Sequence, residues 1–243
     1  MTQFQEVVED RHRYAQEWKA RTGRRVVGCF CTYVPEEVIY AAGMLPVRIL
    51  GSHEPQDVTE SHIAGMYCPF CRDVLAQGLL GRYEYLDGIV MANSCIHLRQ
   101  AFDSWGTHLP VSFSHFLYMP CRVEERGAGD CLEAELQELK GALESWTGQA
   151  MSPGSLEGAI EVYNTNRRLL RQVYELRRAE TVPLSGAEAM EMVLSSTLMD
   201  KAEHNTLMGE ALQRLQAEPG REPGMRLMVL GSENDDIEII RLI

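Results

Sequence analysis

No window of this chain approaches the roughly 18 consecutive apolar residues that a membrane-spanning helix needs. The opening residues, Met1-Thr2-Gln3-Phe4-Gln5-Glu6, carry neither a basic n-region nor an apolar h-region, so no secretory leader is read there and a cytoplasmic location is expected. Basic residues are scarce, 23 Lys and Arg against 35 Asp and Glu for a net charge of −12, and they form no block. The electrostatic footprint of polynucleotide binding is therefore missing, and neither nucleic acid nor membrane is expected as a partner. Glycine loops that cradle phosphates are also lacking: neither G-x-G-x-x-G nor G-x-x-x-x-G-K-[ST] occurs. Any nucleotide chemistry is expected on another polypeptide.

What is present is a globular composition. With 243 residues and 45% hydrophobic content, the chain can bury one large core or two modest ones. Seven cysteines (29, 31, 68, 71, 95, 121 and 131) in a reducing compartment are not expected to pair as disulfides, and an odd count argues the same way.

The chain opens with Phe4, Val7, Val8, Tyr14, Ala15 and Trp18 at helical spacing, which predicts an amphipathic helix over 3–21 closed by Gly23. Residues 25–31 are β-rich. Pro35-Glu36-Glu37 then starts a helix with proline in its first turn and acids at its positive end, and Gly43 stops it. Residues 45–50 predict a second strand, with Pro46 placing it at an edge or at a strand start. A helix over 69–80, a buried strand over 87–92, a helix over 95–105 and a strand over 111–117 complete a βαβαβ alternation. That order implies a parallel sheet with helices on both faces. From residue 130 to 217 the strand signal gives way to amphipathic helical patterns over 131–147, 155–179, 186–196 and 199–216. After the turn-rich linker 218–224, Met225–Ser232 reads as a buried strand with an acidic helix start at Asn234-Asp235-Asp236. A parallel strand needs neighbours and a crossover. The expectation is an α/β protein: a Rossmann-like parallel sheet lobe plus a helical layer, with the start of a second α/β lobe whose remainder is missing. The expected divisions are an N-terminal helix (1–22), a first α/β lobe (23–120), a helical region (121–218) and the beginning of a second lobe (225–243) in a truncated chain.

Two segments concentrate the chemistry. In Met66-Tyr67-Cys68-Pro69-Phe70-Cys71-Arg72-Asp73 and in Ala92-Asn93-Ser94-Cys95-Ile96-His97, a cysteine falls where a loop becomes a helix. Helix N-termini offer unpaired N–H groups and partial positive charge, which favour a thiolate. Cys95, following a strand, is expected at the carboxyl edge of the sheet, where open α/β folds bind ligands. Cys68-x-x-Cys71 with Cys95-x-His97 has the donors of a zinc site, but Pro69 makes 69–72 a first helical turn instead of a zinc knuckle, and His97 falls inside the next helix. An iron–sulfur cluster held by cysteines from separate loops is the other metal reading. Cys29, Cys121 and Cys131 read as small apolar fillers. His97 and His115 are expected near the carboxyl edge, where either could donate a proton at neutral pH, although a histidine in such a place more often serves structure. Tyr33 to Glu36 fills the loop after the first strand, a ligand-touching position in α/β folds, while Glu36 and Glu37 are explained as helix-start acids.

The run from Gly28 to Val47, Gly28-Cys29-Phe30-Cys31-Thr32-Tyr33-Val34-Pro35-Glu36-Glu37-Val38-Ile39-Tyr40-Ala41-Ala42-Gly43-Met44-Leu45-Pro46-Val47, resembles the N-terminal signature of the benzoyl-CoA reductase and 2-hydroxyacyl-CoA dehydratase family. Tyr67-Cys68-Pro69-Phe70-Cys71-Arg72, Leu86-Asp87-Gly88-Ile89, Asn93-Ser94-Cys95-Ile96-His97-Leu98-Arg99 and Glu161-Val162-Tyr163-Asn164-x-Asn166-Arg167-Arg168 continue the resemblance over nearly the whole chain. It implies a subunit of two α/β lobes that clasp a [4Fe–4S] cluster through three cysteines. Cys68 and Cys95 are two of these ligands, Cys71 is a further candidate without a family role, and the third lies beyond Ile243. It also implies an acyl-CoA substrate, a homologous second subunit and a separate ATP-hydrolysing iron–sulfur activator that delivers a low-potential electron. A ketyl-type radical of the substrate then leads to ring reduction in the reductases or to loss of the 2-hydroxyl in the dehydratases. Cys-Pro-Phe-Cys-Arg-Asp and Ser-Cys-Ile-His-Leu-Arg-Gln look more like the smaller cluster-bearing subunits of the ATP-dependent aromatic-ring reductases. A non-catalytic partner subunit and a double-cubane cluster protein are the remaining readings of the resemblance. His97, close to Cys95 in sequence, is the candidate proton donor.

Overall fold

A computed structural model describes residues 2–231 and 234–243. The chain divides into two compact units, Ala15–Ala159 on one side and Met1–Tyr14 with Ile160–Ile243 on the other. The opening helix is broken once: α1 (Gln3–Glu9) ends at Asp10, whose φ of −129° and ψ of 56° are not helical, and α2 (Arg11–Thr22) follows. Aspartate favours such local breaks because its short carboxylate competes for nearby backbone groups. Gly23, at φ +67°, closes α2 as expected.

In the unit Ala15–Ala159, four parallel strands, β1 (Val26–Cys29), β2 (Leu45–Arg48), β3 (Gly88–Ala92) and β4 (Phe113–Leu117), lie in the order β2-β1-β3-β4. Pro46 sits in an edge strand, where its missing N–H costs nothing. The crossover from β1 to β2 through α3 (Glu36–Ala41) runs one way along the sheet. Those through α4 (Pro69–Leu79) and α5 (Ile96–His108) run the other way. Right-handed crossovers then put α3 on one face and α4 with α5 on the other. The packing agrees: α4 lies against α5, and α6 (Ala128–Thr147) against α3 and β4. The expected α/β class holds, and α6 packs with the sheet although its composition changes character after Pro120.

Apolar runs buried on both faces hold this sheet. Phe30 meets Phe102 and Trp105 edge-on at 5.4 and 5.3 Å, and Ile39, Leu75, Ile89 and Met91 are fully buried in the same unit. Gly78 sets the approach of α4 to α5: a Cβ there would stand 2.8 Å from the Trp105 ring and closer still to Leu109. Asp87 ties the amino edge, accepting the Val26 N–H and pairing with Lys19 at 2.9 Å each.

The other unit contains α1, most of α7 (Pro153–Arg178), α8 (Gly186–Ser196), α9 (Lys201–Ala217) and α10 (Ile237–Leu242). Its core collects Phe4, Val173, Leu184, Met192, Met208 and Leu212. Ser185 and Glu188 form a reciprocal capping box that starts α8, and Asp200 caps α9 through the N–H groups of Ala202 and Glu203. The strand expected over 225–232 does not form: residues 225–231 pair with no strand, Met225 and Met228 are 89% and 81% exposed, and Ser232 lies outside the described residues. An extended segment becomes a strand only when a neighbour takes its backbone hydrogen bonds, and none of the described strands does so. The helix start at Asp236 does form, its carboxylate accepting from Glu238 and Ile239. No described helix is long and apolar enough to cross a membrane.

His204 is fully buried in this unit. Its Nδ1 accepts from Asn166 at 2.7 Å and its Nε2 donates to the Met192 carbonyl at 3.0 Å. Burial, and then the charge of Lys201, push its pKa down to about 3, against a smaller upward pull from the Met192 carbonyl. The folded state thus holds this ring neutral while the unfolded chain protonates near its ordinary value, so stability is full above that value and falls as pH drops toward the folded pKa. Between pH 7 and pH 5 this one group removes about 2 kcal/mol. Urea titrations at the two pH values should show that loss in the wild type and a much smaller one in His204→Gln. At Gly78, substitution by valine should cost about 2–3 kcal/mol of urea stability through overpacking.

Candidate functional site

The reversal of strand direction makes β1 and β3 neighbours whose following loops leave the carboxyl edge in opposite directions. Such a switch point opens a crevice in doubly wound sheets. Three cysteines lie in loops at this edge: Cys31 after β1, Cys68 at the start of α4 and Cys95 after β3. Both Cys68 and Cys95 occupy N-cap positions with extended backbone, and neither side chain caps its own helix. The helices they begin are 11 and 13 residues long.

His97 joins the two cysteine segments. The Cys68 N–H donates to His97 Nδ1 at 3.1 Å, and the ring packs edge-on against Tyr67 with centroids 4.9 Å apart. A neutral His97 in this arrangement carries its proton on Nε2, because Nδ1 is the acceptor. Cys71, in the first turn of α4, is 2% exposed with its sulfur 3.0 Å from that of Cys68. None of the seven cysteines is in a disulfide.

His115 does not reach the carboxyl edge. It stands in the middle of β4, in register with Val90, stacks on Phe113 with ring centroids 6.2 Å apart, and its Nε2 is buried without a partner among the described residues. Burial holds its pKa below the usual histidine value, against weaker upward pulls from Glu138 and Glu135. The strand continues two residues beyond His115, to Leu117, before it reaches the edge. Cys29 is buried in β1, as a filler would be, whereas Cys121 and Cys131 are exposed in a loop and on the first turn of α6, where no core surrounds them. No three His, Cys, Asp or Glu side chains among the described residues converge to hold a metal ion. Through Nδ1, which accepts the Cys68 N–H, His97 braces the start of α4.

Two supporting residues carried no clear signal in the sequence. Asp73, 5% exposed in α4, accepts from the backbone N–H groups of Ser52 at 2.6 Å, His53 at 3.2 Å and Glu54 at 3.1 Å, and from the Ser52 hydroxyl. It pins the loop leaving β2, including His53 at φ +60°, to the helix that carries Cys68 and Cys71. Its position two residues after Cys71, opposite a polar loop, was the available hint. Asn93 donates to the Met119 carbonyl at 3.2 Å and accepts the Met119 N–H, fixing the turn before Cys95 to the exit of β4. Large apolar residues stand exposed beside these cysteine loops: Tyr33 after β1, Met66 before Cys68, and Ile96 after Cys95, at 61%, 86% and 61%.

Residues 31–243 match the family model described as 2-hydroxyglutaryl-CoA dehydratase, D-component. The chain is 28% identical to a benzoyl-CoA reductase subunit of Thauera aromatica over 235 residues, covering 94% of this chain and 61% of that protein. It is 27% identical to the (R)-2-hydroxyglutaryl-CoA dehydratase beta subunit of Acidaminococcus fermentans, covering 94% and 61%. Against the (R)-phenyllactyl-CoA dehydratase beta subunit of Clostridium sporogenes the identity is 24%, covering 99% and 64%. The chain spans about three fifths of the length of these curated relatives.

Replacing Asp73 with alanine leaves three backbone donors without their acceptor and should cost about 2–4 kcal/mol in urea unfolding. Hydrogen exchange at residues 52–54 should rise with it, and unchanged exchange there would show that the loop is held by other contacts.

Proposed function

Because this chain belongs to the 2-hydroxyglutaryl-CoA dehydratase D-component family, we propose that it is part of the cluster-bearing subunit of a cytoplasmic aromatic acyl-CoA reductase acting on benzoyl-CoA. The observation that carries this reading is the pair of cysteines at two helix N-termini, joined through His97 at the carboxyl edge of the sheet. Thiolates so placed suit a [4Fe–4S] cluster, and Cys68 and Cys95 would hold it, with Cys71 as a further candidate. Such a cluster supplies one-electron chemistry at low potential.

The chain's own residues have distinct tasks. The starts of α4 and α5 carry the two cysteines. Asp73 and Asn93 hold the loops that flank them. Tyr33, Met66 and Ile96 provide an apolar rim suited to an aromatic acyl group and to the exclusion of water. His97, accepting on Nδ1, would donate a proton from Nε2 toward the substrate. The third ligand, the homologous partner subunit and the ATP-hydrolysing activator are assigned to the assembled enzyme outside these residues.

The dehydratase reading follows from the relatives named as 2-hydroxyacyl-CoA dehydratase subunits, which match this chain about as well. Turnover by the assembled enzyme with its activator separates the two. Benzoyl-CoA consumed in step with reductant supports the reductase, and a 2-hydroxyacyl-CoA dehydrated with only catalytic reductant supports the dehydratase. Activity on neither removes both readings. In the active branch His97→Ala should lower kcat about a hundredfold, as loss of a general acid does. Full turnover in that variant would end the role assigned to His97.

A further inference from the structure

We propose that Cys68 and Cys71 form a redox-active dithiol, a modification site for low-molecular-weight disulfides such as glutathione disulfide, in which Cys68 attacks and Cys71 resolves. Three observations carry it. The two sulfurs are 3.0 Å apart, so closing them to a bond of about 2.05 Å needs a shift of only about 1 Å. Their accessibility differs in the required sense, Cys68 being partly exposed and Cys71 2% exposed, so that an external reagent meets Cys68 first and only Cys68 can present a sulfur to Cys71. Pro69 lies at the first helical position between them and, with its ring fixing φ, holds the pair in one helical turn.

The chemistry is thiol–disulfide exchange. Cys68, having lost its thiol proton to solvent, attacks one sulfur of the external disulfide. The external S–S bond breaks, one thiol leaves with a proton, and Cys68 is held as a mixed disulfide. Cys71 then loses its own thiol proton and attacks the Cys68 sulfur, expelling the second external thiol. The protein pair is oxidised by two electrons and one external disulfide is reduced to two thiols. A second consequence rests on the proposed function: a sulfur bonded to Cys71 is no longer a thiolate ligand, so the closed pair and a cluster at Cys68 exclude one another. Cys71 would then act as the guard that stores Cys68 in a reversible form when no cluster is bound, sparing it from the irreversible acids further along the oxidation series.

The test treats reduced, cluster-free protein with glutathione disulfide, alkylates remaining thiols and weighs the peptide containing both cysteines. The expected wild-type peptide lacks two hydrogen atoms and carries neither alkyl group nor glutathione, while Cys71→Ser carries one glutathione on Cys68. A wild-type peptide with glutathione on Cys68 and an alkylated Cys71, or with both thiols alkylated, overturns the proposal. Oxidised wild type should also take up roughly tenfold less iron and sulfide than the reduced form, because a cluster deprived of one of its cysteines is no longer held, with recovery after dithiothreitol. Equal uptake by the two forms overturns the exclusion. Reduced protein that takes up no iron would instead overturn the proposed cluster, and the peptide mass alone then decides the dithiol.

Discussion

One hydrogen bond, from the Cys68 N–H to His97 Nδ1, fastens together the beginnings of two helices that the sequence separates by nearly thirty residues. Everything that gives the site its character depends on both beginnings lying at the same edge of the sheet. The strand order puts them there: α4 returns from the edge strand β2 and α5 from the central strand β3, and both cross the same face. Gly78 lets these helices approach closely, and Trp105, packed on Phe30, fills the space beneath them. The His97 side chain therefore sees a rigid frame, and its geometry is set by packing several residues away.

Charge is arranged differently at the two chemically suggestive places in the molecule. At the carboxyl edge, Cys68 and Cys95 stand at helix starts, Cys68 half-buried and Cys95 exposed. Around His204, in the other unit, Ser195 and Asn166 approach the ring in a manner reminiscent of a hydrolytic triad, with Ser195 Oγ 3.3 Å from Nε2. There, however, Ser195 and His204 have no exposed surface. The ring's donor already serves the Met192 carbonyl. Burial has made that histidine a structural element, whereas Cys95 at the cysteine edge is open to solvent.

Much of the α/β unit could be read directly. Alternating short apolar runs and amphipathic segments marked every strand and crossover helix, and Pro46 marked the edge strand. Cys68 and Cys95 were legible as helix-start cysteines because Pro69 and the strand before Cys95 announce the geometry locally. Asp73 and Asn93 were not, since their partners are backbone groups of loops whose paths no pattern specifies. His115 was misplaced because a sequence run shows where a strand lies but not how far along it a residue reaches. The apolar run at 225–231 failed as a strand for a related reason: its composition records a demand for burial, and pairing depends on neighbours that composition does not name.

The proposed chemistry requires Cys68 and Cys95 to serve one group together. Iron and acid-labile sulfide should be counted after anaerobic reconstitution of the wild type, Cys68→Ser, Cys95→Ser and the double variant, in the full-length subunit. Joint ligation predicts that each single substitution removes about as much iron and sulfide as the double one, since residues acting as a unit are not additive. Losses that add, each single variant keeping what the other cysteine holds, would contradict it.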